Sequence, residues 1–241
     1  MNNFWQNLFD AWEKSYYGEP IWFCSMCATL YAGIKHYRSE KSYWIFLGYT
    51  IAGIIIFLGA TFCVTGLGLK NPTATIILES SNVAFCAIEI FLFYSFFFDS
   101  TDNTKVKVII MAMLVFFLLL CFRFFFILSS CKFSRKNIVN LSFQLNVIEF
   151  LLLLAPCFYQ FYMLFTLEPS VKNPIKSPSL WINSGILFYV STSLPFLLAG
   201  DLLGSKDKSI GDALYSIHYL SLSILFLCIS KAFTCKVSLT T

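Results

Sequence analysis

Glu89 and Glu149 each fall well inside a long apolar run, and His218 falls inside a third. A carboxyl group in such a place can take up and release a proton, hold a cation or bind the polar part of a small ligand. A charged side chain at the centre of a bilayer costs at least about 2.5–3.5 kcal/mol on insertion scales. A glutamate there must therefore be neutralised or paired. Both have polar company at helical spacing. Asn82 precedes Glu89 by seven positions, and Ser142, Asn146 and Glu149 follow one another by steps of four and three, so each set shares a helix face. Gln144 and Gln160 add polarity to the second of these runs. His218 stands among Ser216, Tyr219 and Ser223, and another apolar run carries Asn183, Ser184, Tyr189, Ser191, Thr192 and Ser193 ahead of Pro195. The candidates for a ligand or ion site are Glu89, Glu149, His218, Asn82, Asn146, Asn183 and Tyr189. The competing explanation is that each group hydrogen-bonds to a neighbouring helix and holds the bundle together, as Ser, Asn and His commonly do.

The elements that must position these residues are membrane helices. The chain has 241 residues, of which 58% are hydrophobic and only 12% charged. A soluble domain is about 25% charged. A spanning helix needs about 20 residues, so the apolar content would supply roughly seven. This composition excludes a water-soluble domain, a disordered chain and a nucleic-acid binder. The runs fall at about 21–37, 43–64, 75–98, 106–128, 138–165, 180–198 and 210–232, the first being short. The expected fold is an all-α seven-helix transmembrane bundle over residues 21–233 with a short tail over 234–241, and spans three, five, six and seven would line a polar centre.

Ahead of the bundle, Phe4, Trp5, Leu8, Phe9, Trp12 and Tyr16 recur at steps of three and four and form one aromatic stripe. Residues 1–20 are expected to form an amphipathic helix lying in the membrane interface, ended by Gly18 and Pro20. They lack the basic start and apolar core of a cleavable signal. Lys35, Arg38 and Lys41 crowd the first connection and place it in the cytoplasm by the positive-inside rule, with the N-terminus outside and the C-terminus inside. The remaining Lys and Arg are almost evenly divided between the two sides. Arg123, toward the end of span four, is expected to snorkel to the interface rather than pair with a glutamate. Glu79 and Asp212, near helix starts, suit the helix dipole.

Other chemistries find little support. Most of the nine cysteines fall in apolar runs and are expected to act as small hydrophobes, and Cys24-Ser-Met-Cys27 has no second pair. With two histidines, His36 and His218, a three-histidine zinc site is impossible. Asp212, Ser216 and His218 formally offer a catalytic trio, but no Gly-x-Ser-x-Gly elbow occurs, nor any P-loop or dinucleotide fingerprint. Lys231 reads as an ordinary lysine near a span end. No catalytic residue, metal or cofactor is expected, and the chain is not expected to be an enzyme.

Four stretches carry a resemblance: Ala87-Ile-Glu-Ile-Phe-Leu-Phe-Tyr-Ser-Phe-Phe, Asn146-Val-Ile-Glu-Phe-Leu-Leu-Leu, Ser177-Pro-Ser-Leu-Trp-Ile-Asn-Ser-Gly-Ile-Leu-Phe-Tyr, and Ile217-His-Tyr. In these the chain resembles a group of largely uncharacterised bacterial seven-helix membrane proteins. Some of those are similar to the membrane sensor parts of two-component, histidine-kinase signalling proteins. The resemblance implies seven spans in a bacterial inner membrane. It singles out Glu89, Glu149, Trp181, Asn183, Ser184, Gly185, Tyr189 and His218, and supplies no activity. Where the group often has asparagine after the histidine, this chain has Tyr219. The function expected first is an integral membrane sensor or signalling-accessory protein, read by a cytoplasmic or membrane partner. The alternative is a small-molecule or proton/ion-coupled transporter.

Overall fold

A computed structural model of the chain describes residues 18–36, 41–67, 69, 73–129, 135–166, 177–204 and 208–235. The expected interfacial helix over residues 1–20 lies almost wholly outside the described residues, as does all but the first residue or two of the 234–241 tail. The described residues form seven α-helices and no strand: α1 (Gly18–Lys35), α2 (Lys41–Thr61), α3 (Thr73–Asp99), α4 (Thr104–Ser129), α5 (Arg135–Thr166), α6 (Pro178–Gly204) and α7 (Lys208–Thr234). A π-helical turn, Phe62–Gly66, follows α2. Helices α2 to α7 are long and apolar enough to cross a membrane. This chain is therefore built as a multi-pass helical membrane protein. Helix α1 has 18 residues, and Glu19, Pro20, Ser25, Thr29 and Lys35 dilute its apolar content. Gly18 and Pro20, expected to end the interfacial helix, lie in the first turn of this one; the residues before Gly18 are outside the described ones. Proline in a first turn loses no helix bond, because those N–H groups have no partner within the helix.

The helices form two compact units. The first contains Ala52–Leu152, so it takes the end of α2, all of α3 and α4, and α5 up to Leu152. Between α3 and α4 the chain turns tightly. Asn103 caps α4, its Oδ1 accepting from the backbone N–H groups of Lys105 (3.0 Å) and Val106 (3.4 Å). Pro156 has no N–H to give the carbonyl of Leu152 one turn earlier. The hydroxyl of Tyr94 on α3 donates to that carbonyl instead, at 2.7 Å. Helix α4 turns Val108, Ile109, Leu119, Phe122 and Phe126 outward, as a helix facing lipid does. Arg123 is exposed on the same helix, with no carboxylate partner among the described residues, as a snorkelling side chain would be.

The second unit takes Ser15–Ile51 and Leu153–Thr241, and α7 is its axis. Trp22 packs against Tyr219, and Thr29 Oγ1 donates to the carbonyl of Phe226 at 2.8 Å. Seven residues along α1 thus match seven along α7, so the two helices run parallel. Helix α2 runs antiparallel to α7: Tyr43 packs on Phe233, and Tyr49 stacks flat on Phe226 with centroids 5.1 Å apart. Helix α6 also runs antiparallel, with Ser193 and Ser221 hydroxyls 2.7 Å apart and Gly185 set against Cys228.

Gly185 is a contact requirement. A Cβ there would stand 2.8 Å from Cys228 Cβ and 3.1 Å from Leu225 Cδ1. Close approach through a small residue is how membrane helices gain packing where the hydrophobic effect gives nothing. Gly185→Ala is expected to destabilise the protein by about 1–3 kcal/mol through overpacking. Gly59 has nothing within 4 Å of the same construction, so Gly59→Ala is expected to stabilise by about 1 kcal/mol through helix propensity. Thermal unfolding of both variants in detergent checks the pair, and equal effects would contradict the packing argument.

Candidate functional site

In the first unit, α3 and α5 present a continuous polar seam. The face of α3 carries Glu79, Asn82, Cys86 and Glu89, at steps of three, four and three. The face of α5 carries Ser142, Asn146 and Glu149. The Ser142 hydroxyl donates to the Glu79 carboxyl. Asn82 Nδ2 donates both its hydrogens, one to Ser142 Oγ and one to Asn146 Oδ1, each at 3.2 Å. The Cys86 thiol lies 3.0 Å from Asn146 Oδ1, as donor, and also faces the Glu149 carboxyl. Glu149 and Glu89 lie close enough to act on each other electrostatically. Each link hands on to the next, from half-buried Glu79 to Glu89 and Glu149, which are 0% and 1% exposed. At 1.5 Å of rise per residue, the ten residues from Glu79 to Glu89 carry the seam about 15 Å along α3.

Glu149 ends the seam on an open valence. Its Oε1 is buried and has no hydrogen-bond partner. No cationic side chain among the described residues pairs with it. A buried polar atom left without a partner costs about 1–3 kcal/mol, more when charged. Such an atom in a polar network calls for an explanation, and a bound water or ion is one of the ordinary ones.

The second unit holds the other candidates. Tyr189 on α6 packs against His218 on α7, with centroids 5.8 Å apart, and His218 packs against Tyr219 at 5.5 Å. Asn183 is 1% exposed; its backbone carbonyl accepts from the Cys157 thiol at 3.3 Å, and its Oδ1 has no hydrogen-bond partner. The structure thus brings Asn82, Glu89, Asn146 and Glu149 together in one unit, and Tyr189 with His218 in the other. Among the described residues no three His, Cys, Asp or Glu side chains are grouped to hold a metal ion.

Two participants escaped the sequence reading. Cys86 is no mere hydrophobe, since it links Asn146 to Glu149. Its place four residues after Asn82 and three before Glu89 was the available signal. Glu79 belongs to the seam rather than only to a helix start. Cys24 and Cys27 are exposed on the outside of α1 rather than buried, whereas Cys121, Cys157 and Cys235 are buried as small hydrophobes are.

No family model, curated protein or solved structure matches this chain. The site therefore stands on its own geometry. So does the span-six stretch, whose residues have structural work of their own. Trp181 receives the Lys231 ammonium over its ring at 5.9 Å, and Gly185 admits α7.

Glu19 lies ahead of the apolar stretch that starts at Ile21. Burial pushes its carboxyl above the ordinary 4.5, and a hydrogen bond from Tyr219 opposes part of that rise. The folded chain thus holds this proton to higher pH than the unfolded chain. Its contribution favours folding below the ordinary value and is lost as pH rises from there through the raised one. Glu19→Gln is expected to remove this loss. Thermal midpoints across pH about 4–8, the range around a carboxyl's ordinary and raised values, check it, and Tyr219→Phe should move the loss to higher pH.

Proposed function

We propose that this protein is a proton- or cation-coupled carrier of the membrane, with Glu89 and Glu149 taking up and releasing the coupled charge. The carrying observation is the buried Glu149 Oε1, which has no hydrogen-bond partner and stands beside Glu89 at the inner end of the polar seam. Bundle glue gives no reason for two carboxyls to stand side by side in the interior. An isolated ligand pocket would not need a file of polar groups running on to Glu79.

The same reading takes α1 as a seventh span. What supports this is its pairing with α7, a helix apolar enough to cross. From Trp22 to Gly33 it runs beside α7 from Tyr219 to Phe233, in the same direction. Seven spans with the first connection inside give an N-terminus outside and a C-terminus in the cytoplasm. A bacterial inner membrane, and kinship with the seven-helix proteins the four stretches resemble, belong to this proposal too.

The test is flux. Protein reconstituted into liposomes should dissipate an imposed proton or cation gradient, and Glu89→Gln and Glu149→Gln should stop it. Flux that survives both substitutions would end the carrier reading. The sensor reading uses the same carboxyl pair as the element a ligand biases. Its own test is consistent recovery of a signalling partner from native membranes. Flux by the purified protein without any partner decides for the carrier.

A further inference from the structure

We propose that the seam between Glu79 and Glu149 binds a small, hard monovalent cation, with Ser142 Oγ, Asn82 Oδ1 and Asn146 Oδ1 as its oxygen ligands and Glu149 as its counter-charge. This rests on the carrier reading and names the coupled species.

Three features of the seam argue for it. The first is the pair of amides in the middle. Between the two carboxyls stand Ser142, Asn82, Asn146 and Cys86. A hydroxyl accepts one proton while giving up another. A carboxamide nitrogen has two donors and no acceptor, so the amide does not pass a proton on in this way. A file with two amides in series is a poor proton wire. Its oxygens are nonetheless the donors that hard cations choose.

The second is the two-faced character of Asn82. Its Nδ2 lies 3.2 Å from both Ser142 Oγ and Asn146 Oδ1. Turning the amide over exchanges its nitrogen and oxygen positions. Three oxygens then meet, an arrangement that repels itself when empty and is satisfied by a cation among them. Without the ion, the amide turns back and closes the seam with its own N–H groups. After the turn, Asn82 Oδ1 stands about 3.2 Å from each of the other two oxygens, a spacing that lets neighbouring ligands meet an ion the size of Ca²⁺ near a right angle at its oxygen distance of about 2.3–2.6 Å. Na⁺ has that size, and K⁺ is larger.

The third is charge. Glu149 lies one thiol away from Asn146, with Oε1 unpartnered. One carboxylate balances one monovalent ion. A divalent ion would need Glu89 ionised beside Glu149 as well, and two carboxylates held side by side in the interior are costly.

The test uses the full chain in nanodiscs, with NaCl, KCl and choline chloride compared at equal ionic strength. The expected result is a saturable rise in thermal midpoint with Na⁺ and none with K⁺ or choline. Asn82→Ala should weaken the half-saturating Na⁺ concentration at least tenfold. Ser142→Ala, the smaller change, should weaken it in the same direction if Asn82→Ala does not fold. Identical midpoints in the three salts overturn the proposal, and so does a wild-type Na⁺ response in both variants. If Na⁺ has no effect while proton flux still depends on Glu149, this inference alone falls. If flux ignores Glu149, the carrier reading falls as well.

Discussion

Glu149→Gln is expected to fold, to insert, and to lose coupled flux altogether, while its thermal midpoint rises. The side chains are nearly the same shape, so the packing around residue 149 survives. What changes is the charge. An amide neither releases a proton nor neutralises a cation. The gain in stability comes from the neighbouring groups. Glu149 is 1% exposed, has one oxygen without a hydrogen-bond partner, and acts electrostatically on a second buried carboxyl, Glu89. An amide N–H placed there can donate to a neighbouring acceptor, and a typical hydrogen bond contributes about 0.5–1.5 kcal/mol net. A residue kept for stability loses stability when replaced. A residue kept for function gains it, because natural sites trade stability for activity. Glu89→Gln should behave in the same way, and the double variant should transport no less than either single one, as expected of groups that work as a unit. A Glu149→Gln protein with full flux and a lowered midpoint would identify the carboxyl as bundle glue.

How far these residues could be read in advance differs from one helix to the next. Spans α2 to α7 were legible because nothing but a bilayer gives runs of 20 or more apolar residues a place to lie. Their observed limits differ from the expected ones by a few residues. Within each helix the site was legible too. The seven-residue step from Asn82 to Glu89 and the steps through Ser142, Asn146 and Glu149 fix which side chains share a face. The partnership of α3 with α5 was not legible. Apolar helices in lipid carry no strong code for a partner, since lipid tails are as apolar as leucine. Spans three, five, six and seven were expected to line one polar centre. The structure describes a seam of α3 and α5 in one unit, and the aromatic contact of Tyr189 with His218 in the other.

Cys86 was undervalued for a chemical reason. Cysteine ranks among the most buried residue types, so composition argues for a hydrophobe. In a membrane its S–H is one of few available donors, and a neighbouring amide and carboxyl on the right turns make it part of a network. Orientation was illegible because the basic residues nearly balance. Cys24 and Cys27 looked like buried hydrophobes because a run of apolar residues does not reveal which of its faces the fold leaves exposed.

The second large effect is expected at Tyr94. Pro156 denies the Leu152 carbonyl its helix hydrogen bond, and the Tyr94 hydroxyl restores the pairing at 2.7 Å. In hydrocarbon no water replaces a lost partner, and each unsatisfied backbone group costs several kcal/mol. Tyr94→Phe is therefore expected to destabilise by about 1–3 kcal/mol, although it removes a single oxygen. Pro156→Ala supplies the missing N–H and rebuilds the bond within α5. In that background Tyr94→Phe should be close to neutral. The double-mutant cycle, measured by thermal or denaturant unfolding in the same detergent, should give a coupling of about 1–3 kcal/mol, the upper range for residues sharing a network. Additive effects would mean that Tyr94 acts through packing alone. Pro156 follows Glu149 by seven residues, two turns along the same face. Many carriers expose backbone to their cargo at interrupted helices, and at Pro156 the continuous α5 gives up one helix bond. If α5 works in that way, Pro156→Ala should slow flux while raising stability, and Tyr94→Phe should lower stability and leave the dependence of flux on Glu149 intact.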